Sequence, residues 1–370
     1  MVLADLMKAA VLEGHGGLDK LVIRDDWPVP QPEANEVLIE VGACGINNTD
    51  INTRIGWYSK SVRSGTATAA GADSLKQLSV DDGTWGDSTV VFPRIQGADV
   101  AGRIVASGAG VSPARIGERV IVDPWIRDRA QPENRNLAVY VGSERDGGFA
   151  QYMKAPDENA FVIKSDLSDA ELATFPCSYS TAEHMLGRVR LHKGETILIP
   201  GASGGVGSAL IQLAKRRKAR VLAITAGSKM ETVRQLGVDE VFDRNHKDLE
   251  QHIREAAHEG KIDVVADVVG GVGFSMSLNL LDRGGRYVTS GAIAGPIVEL
   301  DLRTVYLKDL EMHGATVMPV GIFEKLVGYI EDGEIQPLLA KTFPISGIKL
   351  AQEEFLTKKH IGNFVILPWQ

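Results

Sequence analysis

Short stretches of the first part of the chain alternate apolar and polar positions or run through β-branched residues. They are residues 7–14 (MKAAVLEG), 19–27 (DKLVIRDDW) and 36–46 (EVLIEVGACGI), and similar stretches return at 100–108 (VAGRIVASG) and 118–124 (ERVIVDP). A period of two is typical of half-buried strands, and Pro28, Pro30 and Pro32 mark a break between them. We therefore predict a β-rich N-terminal region.

The pattern changes near residue 165. Residues 194–227 (GETILIPGASGGVGSALIQLAKRRKARVLAITAG) fit a buried strand, a glycine loop, an amphipathic helix and a second strand. Further apolar runs, such as 262–271 (IDVVADVVGG), then alternate with stretches of helical spacing, such as 247–260 (KDLEQHIREAAHEG). Strands that alternate with helices predict βαβ units and a parallel sheet. After residue 317 we expect one more helix, at 322–335, and a final strand at 362–368.

Residues 56–92 interrupt the strand pattern with a stretch rich in glycine, serine, threonine and aspartate. A loop of this length is usually functional or disordered. Because Trp57, Tyr58 and Trp85 supply apolar contacts, we predict a lid or substrate-recognition loop. A solvated excursion and a contact between subunits remain open as alternatives.

Length and charge narrow the class of protein. The 370 residues suggest two domains, and a net charge of −8 argues against general binding of nucleic acid or anionic membranes. Two cysteines, Cys44 and Cys177, do not suffice for a disulfide framework or a four-cysteine zinc site. The N-terminal sequence lacks the features of a signal peptide, and no apolar run is long enough to span a membrane. We expect a cytoplasmic protein.

The strongest chemical signal is the glycine loop G-x-x-G-G-V-G at residues 201–207. A strand that feeds a glycine turn and then a helix brings backbone N–H groups and the positive end of the helix to a pyrophosphate. The spacing departs from the strict G-x-G-x-x-G, so a tight turn without ligand is the alternative, which the flanking βαβ pattern disfavours. We predict binding of a dinucleotide by Gly201, Ser203, Gly204, Gly205, Val206 and Gly207.

The end of the next strand indicates which dinucleotide binds. NAD sites place an acidic residue there to hold the ribose 2′-hydroxyl, whereas this strand ends in Thr225-Ala226-Gly227-Ser228-Lys229. Hydroxyl and ammonium groups suit a 2′-phosphate, so we predict NADPH, bound by Thr225, Ser228 and Lys229. The alternative is that Lys229 is only a solvated helix residue.

These motifs, together with GACGINNTD at 42–50 and QGADVAGRIVASG at 96–108, resemble the medium-chain dehydrogenase/reductase superfamily over nearly the whole chain. The extended glycine loop is most similar to its zinc-free quinone oxidoreductase and enoyl reductase branch. The resemblance implies a GroES-like β-rich catalytic domain formed by 1–172 and 318–370, and a Rossmann domain with a doubly wound parallel sheet formed by 173–317. The nicotinamide is then expected in the cleft between the domains.

The resemblance also indicates whether this chain binds a catalytic zinc ion. The zinc alcohol dehydrogenases of this superfamily hold zinc with a cysteine, a histidine and a later cysteine, and the corresponding positions here are Asn47, Ala98 and Cys177. A catalytic zinc site needs three protein ligands, so we expect no bound metal. A substitute site built from Cys177, Asp50 and Asp99 is the less favoured alternative. The segment from Trp125 to Asp146, which corresponds to the structural zinc lobe, contains no cysteine.

The resemblance further implies that Thr181, Gly291, Ala292 and Ile293 line the nicotinamide and that Gly362 and Asn363 close the cleft. We expect a zinc-independent, NADPH-dependent reductase of a conjugated C=C bond or a quinone, and a homodimer. Without a metal, donors must stabilise the charge that develops on the acceptor oxygen. The candidates are Asn47, Thr49, Tyr58 and Thr181, with Asn47 first because it replaces a zinc ligand. An alcohol dehydrogenase with a non-standard metal site and a non-catalytic NADPH-binding protein are the alternatives.

Overall fold

The computed structural model describes residues 4–66 and 90–370. Residues 67–89, which include Trp85 and most of the predicted lid, lie outside the described residues, so the lid stays a prediction. The described chain forms two compact units. The first consists of residues 4–62, 90–177 and 319–370, and the second of 63–66 and 178–318.

The elements follow the predicted change of pattern, with strands first and alternating strands and helices afterwards. The strands are β1 (Leu6–Leu12), β2 (Leu21–Pro28), β3 (Glu36–Ile46), β4 (Arg94–Ile95), β5 (Asp99–Ser107), β6 (Arg119–Val122), β7 (Trp125–Ile126), β8 (Val139–Tyr140), β9 (Tyr152–Pro156), β10 (Ala160–Val162), β11 (Thr196–Pro200), β12 (Arg220–Thr225), β13 (Glu240–Asp243), β14 (Val264–Asp267), β15 (Arg286–Thr289), β16 (Glu311–Gly314), β17 (Leu339–Pro344) and β18 (Asn363–Leu367). The α-helices are α1 (Asn48–Ile55), α2 (Asp169–Leu172), α3 (Pro176–Arg188), α4 (Gly205–Arg216), α5 (Met230–Gln235), α6 (Leu249–Ala256), α7 (Phe274–Leu280), α8 (Leu302–Leu307), α9 (Ile322–Glu331) and α10 (Ile348–Leu356).

The first unit is built on a seven-stranded sheet in the order β10-β6-β5-β3-β18-β17, with β9 also paired to β3. Pairing is antiparallel except between β17 and β18. A three-stranded sheet, β2-β1-β4, lies in the same unit. Apolar side chains of both sheets share one core, which includes Leu12, Ile39, Phe149 and Phe364. Burial of this apolar surface is the main driving force for the unit.

The second unit contains six parallel strands in the order β13-β12-β11-β14-β15-β16. In chain order this is 3-2-1-4-5-6, the doubly wound arrangement that binds dinucleotides at the point where the strand order reverses, here between β11 and β14. Strand β11 is buried along its whole length, as expected for a parallel strand that is covered on both faces. The predicted fold class is confirmed.

Within the described ranges, none of the helices combines the length and the apolar character that crossing a bilayer requires.

Candidate functional site

The polar site of the first unit begins where β3 ends and α1 starts. Asn47 caps the helix, and Asp50, three residues on, accepts a hydrogen bond from the Asn47 backbone N–H at 2.8 Å. The other Asp50 oxygen accepts from the Gly97 N–H at 3.1 Å. Gly97 has φ +99°, and a Cβ there would lie 2.6 Å from the Cys44 sulfur, so both backbone and packing require glycine. Asp50 therefore fixes α1 against the segment before β5.

Asp99, the first residue of β5, is the centre of this site. Its Oδ2 accepts from the Asn47 amide Nδ2 at 2.5 Å, and its Oδ1 accepts from the Cys177 backbone N–H at 2.7 Å. The residue has no exposed surface. One buried carboxyl group thus connects the start of α1, the start of β5 and the start of α3, and it orients the Asn47 carboxamide by engaging one of its two amide hydrogens.

Cys177 presents a protonated thiol to the site. The Tyr140 hydroxyl, from β8, donates to the Cys177 sulfur at 3.3 Å, and the Tyr140 ring packs edge-on against Trp125 with centroids 4.7 Å apart. Burial first, and then the charge of Asp99, hold the pKa of Cys177 well above its usual range. Since the thiolate is the nucleophile and the metal ligand, this cysteine is inert as either.

The hydroxyl groups of Thr49 and Tyr58 belong to the same unit. Thr49 Oγ1 is buried without a hydrogen bond of ordinary geometry. It nevertheless lies close enough to the Cys177 thiol to lower the pKa of that thiol slightly, against the larger effect of burial. The Tyr58 hydroxyl accepts from Asn52 Nδ2 at 3.5 Å. Burial is the main cause that raises the pKa of Tyr58, and the nearby Cys177 and Asp50 add to it. The structure therefore brings together Asn47, Thr49 and Tyr58.

Two further predicted residues, Thr181 and Asn363, lie in different units of the chain. Thr181 lies in the second unit, one helical turn after Cys177 on α3. Residues four apart share a helix face. Asn363 begins β18 in the first unit, is buried, and donates its backbone N–H to the Leu338 carbonyl. Its predicted role at the cofactor stays a prediction.

The two carboxyl groups of the site, Asp50 and Asp99, are protonated and uncharged at low pH. Burial raises the pKa of both Asp50 and Asp99 to about 7, although the hydrogen bonds that each carboxyl accepts oppose the shift. Asp99 is shifted further by the charge of Asp50. The two carboxyl groups thus change protonation near neutral pH, within a cluster of otherwise uncharged donors.

The side chains at the zinc-ligand positions do not fit zinc. Asn47 directs its amide at Asp99, Ala98 is a buried methyl group, and the Cys177 thiol is held protonated. In residues 4–66 and 90–370, no three His, Cys, Asp or Glu side chains are grouped so as to hold a metal ion. The alternative site from Cys177, Asp50 and Asp99 is not among such groups, and both of its carboxyl groups accept hydrogen bonds from N–H donors.

The glycine loop of the second unit has the geometry that a dinucleotide needs. Gly201 leaves β11 with φ +70°, and a Cβ on Gly207 would collide with the Gly201 carbonyl, so only glycine lets α4 approach the strand. Gly204 caps α4 without any side-chain hydrogen bond and is exposed. The first N–H groups of the twelve-residue helix therefore have no capping side chain, and they suit the oxygens of a pyrophosphate.

Two cations lie beside this loop. Lys229 Nζ is 3.4 Å from Ser203 Oγ, and burial together with the nearby Arg244 lowers the pKa of Lys229. Thr225, at the end of β12, is buried, and its Oγ1 is an unsatisfied donor. One carboxylate is also close, because Asp243 packs against Gly227 and accepts from the Asn245 N–H at 3.0 Å.

Gly291, Ala292 and Ile293 follow β15. The Ile293 N–H donates to the Val268 carbonyl at 3.3 Å, so this segment lies next to the loop that follows β14. Since the strands are parallel, the loops after β11, β12 and β15 meet at one edge of the sheet. That edge therefore gathers the predicted cofactor residues of the second unit.

Sequence reasoning missed Tyr140 and Arg244 and considered Asp99 only as a metal ligand. Tyr140 lies in a stretch without periodicity, so no signal marked it. Arg244 could have been found, because it follows β13, the strand next to β12. The short hydrogen bond from Asn47 to Asp99 joins residues 52 positions apart, which no local pattern reveals.

Comparison with known proteins gives matches over nearly the whole chain. Residues 33–165 match the model of the alcohol dehydrogenase GroES-like domain, and residues 205–332 match that of the zinc-binding dehydrogenase. A quinone oxidoreductase from Lama guanicoe is 30% identical, with 98% of this chain and 97% of that protein covered. The NADPH-dependent alkenal/one oxidoreductase of Arabidopsis thaliana chloroplasts is 26% identical, with 98% and 80% covered.

Among solved structures, a protein from Sinorhizobium meliloti 1021, provisionally assigned as an alcohol dehydrogenase, is 45% identical to this chain. The match covers 99% of this chain and 97% of that one, with a TM-score of 0.88.

The buried carboxyl groups predict how stability depends on pH. A carboxyl whose pKa rises from 3.8 to about 7 on folding binds its proton more tightly in the folded chain. Its stabilising contribution is therefore fully present below about pH 4 and is lost progressively as pH rises from there through 7. We expect the urea midpoint to fall between about pH 4 and pH 7, and Asp99→Asn to reduce that fall.

The control is Asp25→Asn, since Asp25 is an exposed carboxylate 3.5 Å from Lys8 Nζ in the same unit. It should leave the pH dependence unchanged. An Asp99→Asn variant whose midpoint falls with pH as steeply as that of the parent would contradict the assignment.

Proposed function

This chain belongs to the medium-chain dehydrogenase/reductase superfamily, in its quinone oxidoreductase-like branch, and we propose that it is a zinc-independent, NADPH-dependent reductase of a conjugated C=C bond or a quinone. The resemblance seen in the sequence is thereby confirmed at the level of the family. One observation carries the proposal: the positions of two zinc ligands are taken by an oriented carboxamide and a methyl group, beside two hydroxyl groups.

Neutral donors suit a conjugated acceptor. Hydride addition to an enone or a quinone leaves an enolate or hydroquinone anion, whose charge is delocalised, so a few preorganised hydrogen bonds stabilise it. Oxidation of a simple alcohol instead requires an alkoxide, which a metal ion normally stabilises. Asn47, held by Asp99, and the hydroxyl groups of Thr49 and Tyr58 supply donors for the first reaction, with Thr181 as a further candidate.

NADPH, when bound, supplies the hydride. We assign its pyrophosphate to the glycine loop 201–207, its 2′-phosphate to Ser228 and Lys229 with Arg244 nearby, and its nicotinamide end to residues 291–293 and Asn363. Two cations at the end of β12 and β13 favour a phosphate, because charge-assisted hydrogen bonds are about twice as strong as neutral ones. Asp243 is turned to the Asn245 N–H and to Gly227. The Arabidopsis relative is named as an NADPH-dependent enzyme.

We also propose a homodimer. Strand β16 is an edge of the parallel sheet, and edge strands are ready to pair with another chain. Large apolar side chains are exposed beside it, and a cluster of that kind marks an interaction surface. They are Leu302, Tyr306, Leu307 and Met312.

Cofactor choice is tested by binding. We expect NADPH to bind more tightly than NADH, and Lys229→Ala to weaken NADPH binding by about one to two decades, because a charge-assisted hydrogen bond to phosphate contributes roughly 1.5–3 kcal/mol. NADH binding should change less. Fluorescence titration measures all four dissociation constants. Lys261→Ala, which removes an exposed cation of the same unit, serves as control, and equal affinities of the parent for the two cofactors would refute the assignment.

The reaction is tested with a panel of enones, quinones and enoyl thioesters and with a variant of the first donor. Asn47→Ala should slow hydride transfer by about 10²–10³, the usual cost of one oxyanion donor, with a smaller effect on NADPH binding. Pre-steady-state oxidation of NADPH measures the step itself.

The matched control is Asn48→Ala. Asn48 is the neighbouring residue, but its carboxamide oxygen accepts from Lys358 Nζ at 2.7 Å, away from Asp99. A rate in Asn47→Ala within about threefold of the parent (under ~1 kcal/mol) would remove Asn47 from the proposal. Absence of turnover with every acceptor would favour a non-catalytic NADPH-binding protein.

A further inference from the structure

The second unit contains a buried carboxyl group, that of Asp267, at the end of β14. Its Oδ1 accepts from the Val269 N–H at 2.7 Å, and the Gly270 N–H is shared between Oδ1 and Oδ2 at 3.3 and 3.2 Å. Oδ2 also accepts from the Tyr287 hydroxyl at 2.8 Å. A buried carboxylate is costly unless it is hydrogen-bonded. Here its hydrogen bonds hold two consecutive N–H groups of the loop that follows β14.

Tyr287 fixes the orientation of this carboxyl group. In the sheet, Tyr287 on β15 lies opposite Val265, and Asp267 lies two residues further along β14. Residues two apart on a strand point to the same face, so the hydroxyl and the carboxyl meet on one face of the sheet. The Tyr287 ring is buried and packs edge-on against Phe274, with centroids 5.3 Å apart. The hydroxyl is therefore held in place by packing.

The loop 268–271 supports the segment that follows β15. Three main-chain hydrogen bonds join the two, from Ile293 to Val268 at 3.3 Å, from Ala294 to Val269 at 2.8 Å and from Gly271 to Gly295 at 3.1 Å. Gly271 has φ +58°, and a Cβ there would lie 2.9 Å from the Ala294 carbonyl oxygen, so the two backbones approach as closely as glycine allows. The position of residues 293–295 therefore follows that of the loop.

The same loop adjoins the glycine loop on its other side. A Cβ on Gly201 would lie 2.8 Å from Cγ2 of Val269, so this valine side chain packs directly beside the turn that leaves β11. The loop 268–271 thus lies between the segment assigned to the pyrophosphate and the segment assigned to the nicotinamide end. A carboxyl group that fixes this loop fixes the distance between those two segments.

We propose that Asp267 is a positioning residue for the nicotinamide: together with Tyr287 it holds the loop 268–271 in the conformation on which residues 291–295 rest. The inference rests on the proposed function, since it takes residues 291–293 as the nicotinamide end of the cofactor site. Asp267 acts through the main chain of the loop, so it is not itself a catalytic residue.

Two variants weaken this arrangement to different degrees. Asp267→Asn keeps the size of the side chain but replaces one acceptor oxygen with an amide donor, and Tyr287→Phe removes only the hydroxyl. We expect Asp267→Asn to raise the dissociation constant for NADPH by about three- to thirtyfold, the range for residues that act on a site through intervening groups. Tyr287→Phe should fall at the lower end of that range. Fluorescence titration of the full chain measures both.

A second ligand separates positioning from a general loss of structure. Adenosine 2′,5′-bisphosphate carries the adenosine and the 2′-phosphate but no nicotinamide, so its dissociation constant should stay within about twofold (~0.4 kcal/mol) in both variants. At saturating NADPH, hydride transfer in Asp267→Asn should slow by about tenfold or more, because a displacement of about 1 Å can cost 10² in rate. A residue that only stabilised the fold would weaken the binding of both ligands together.

The matched control is Asp263→Asn. Asp263 precedes the same strand, β14, and its Oδ2 accepts from the Thr196 N–H at 2.7 Å. It therefore also fixes a backbone N–H with a carboxyl group, but at the opposite edge of the sheet from the loop 268–271. This variant should leave the dissociation constants for NADPH and for the bisphosphate within about twofold of the parent (~0.4 kcal/mol).

Two results would overturn the role of Asp267: NADPH binding within about twofold of the parent (~0.4 kcal/mol) in both variants, or an equal loss of affinity for NADPH and the bisphosphate. If Asp267→Asn does not fold, Tyr287→Phe decides by the same comparison. A parent that binds NADPH but reduces no acceptor would contradict the proposed reductase activity, while the binding comparison still decides on Asp267. A parent that does not bind NADPH would overturn the cofactor assignment and this inference with it.

Discussion

The hydrogen bonds to the buried Asp99 carboxyl connect three segments that are distant in sequence. One oxygen receives the Asn47 amide and the other the Cys177 backbone N–H. A buried carboxyl without such partners would be costly, so the two bonds fix the start of α1 and the start of α3 on β5. The orientation of Asn47, the position of Thr49 after it and the direction in which Cys177 points all depend on this arrangement.

The same arrangement gives the site its chemical character. With Asp99 occupied by donors, Asn47 is held in one orientation and Cys177 remains a protonated thiol. The site therefore offers hydrogen-bond donors. In the second unit the corresponding constraint is backbone geometry, because Gly201 and Gly207 allow β11 and α4 to approach closely and leave the helix N-terminus available to a phosphate group.

Much of the fold could be predicted from local pattern. Alternation with period two marked β1, β2, β3, β5 and β6, and the βαβ order with its glycine loop marked the parallel sheet, since these signals lie within one element or its neighbours. The antiparallel order of the first unit could not be predicted, because strands β3, β5 and β18 are far apart in sequence and only the folded chain pairs them.

The residues of the candidate site also fall into those that local sequence identifies and those that only the folded chain reveals. The residues of the glycine loop could be identified because their spacing is itself the signal. The partner of Asn47 could not, since Asp99 is distant and its neighbours Gly97 and Ala98 carry no chemical mark. Tyr140 could not be identified either, because it lies in a stretch without periodicity. Only the structure shows that its hydroxyl donates to the Cys177 sulfur.

The central claim is that this oxidoreductase reduces a conjugated acceptor with hydrogen-bond donors at the positions of lost zinc ligands. It is tested most directly by elemental analysis of the purified chain, combined with activity before and after treatment with a chelator. The account predicts far less than one zinc per chain and undiminished NADPH-dependent reduction of an enone or a quinone. One zinc per chain, together with oxidation of simple alcohols that a chelator abolishes, would contradict it.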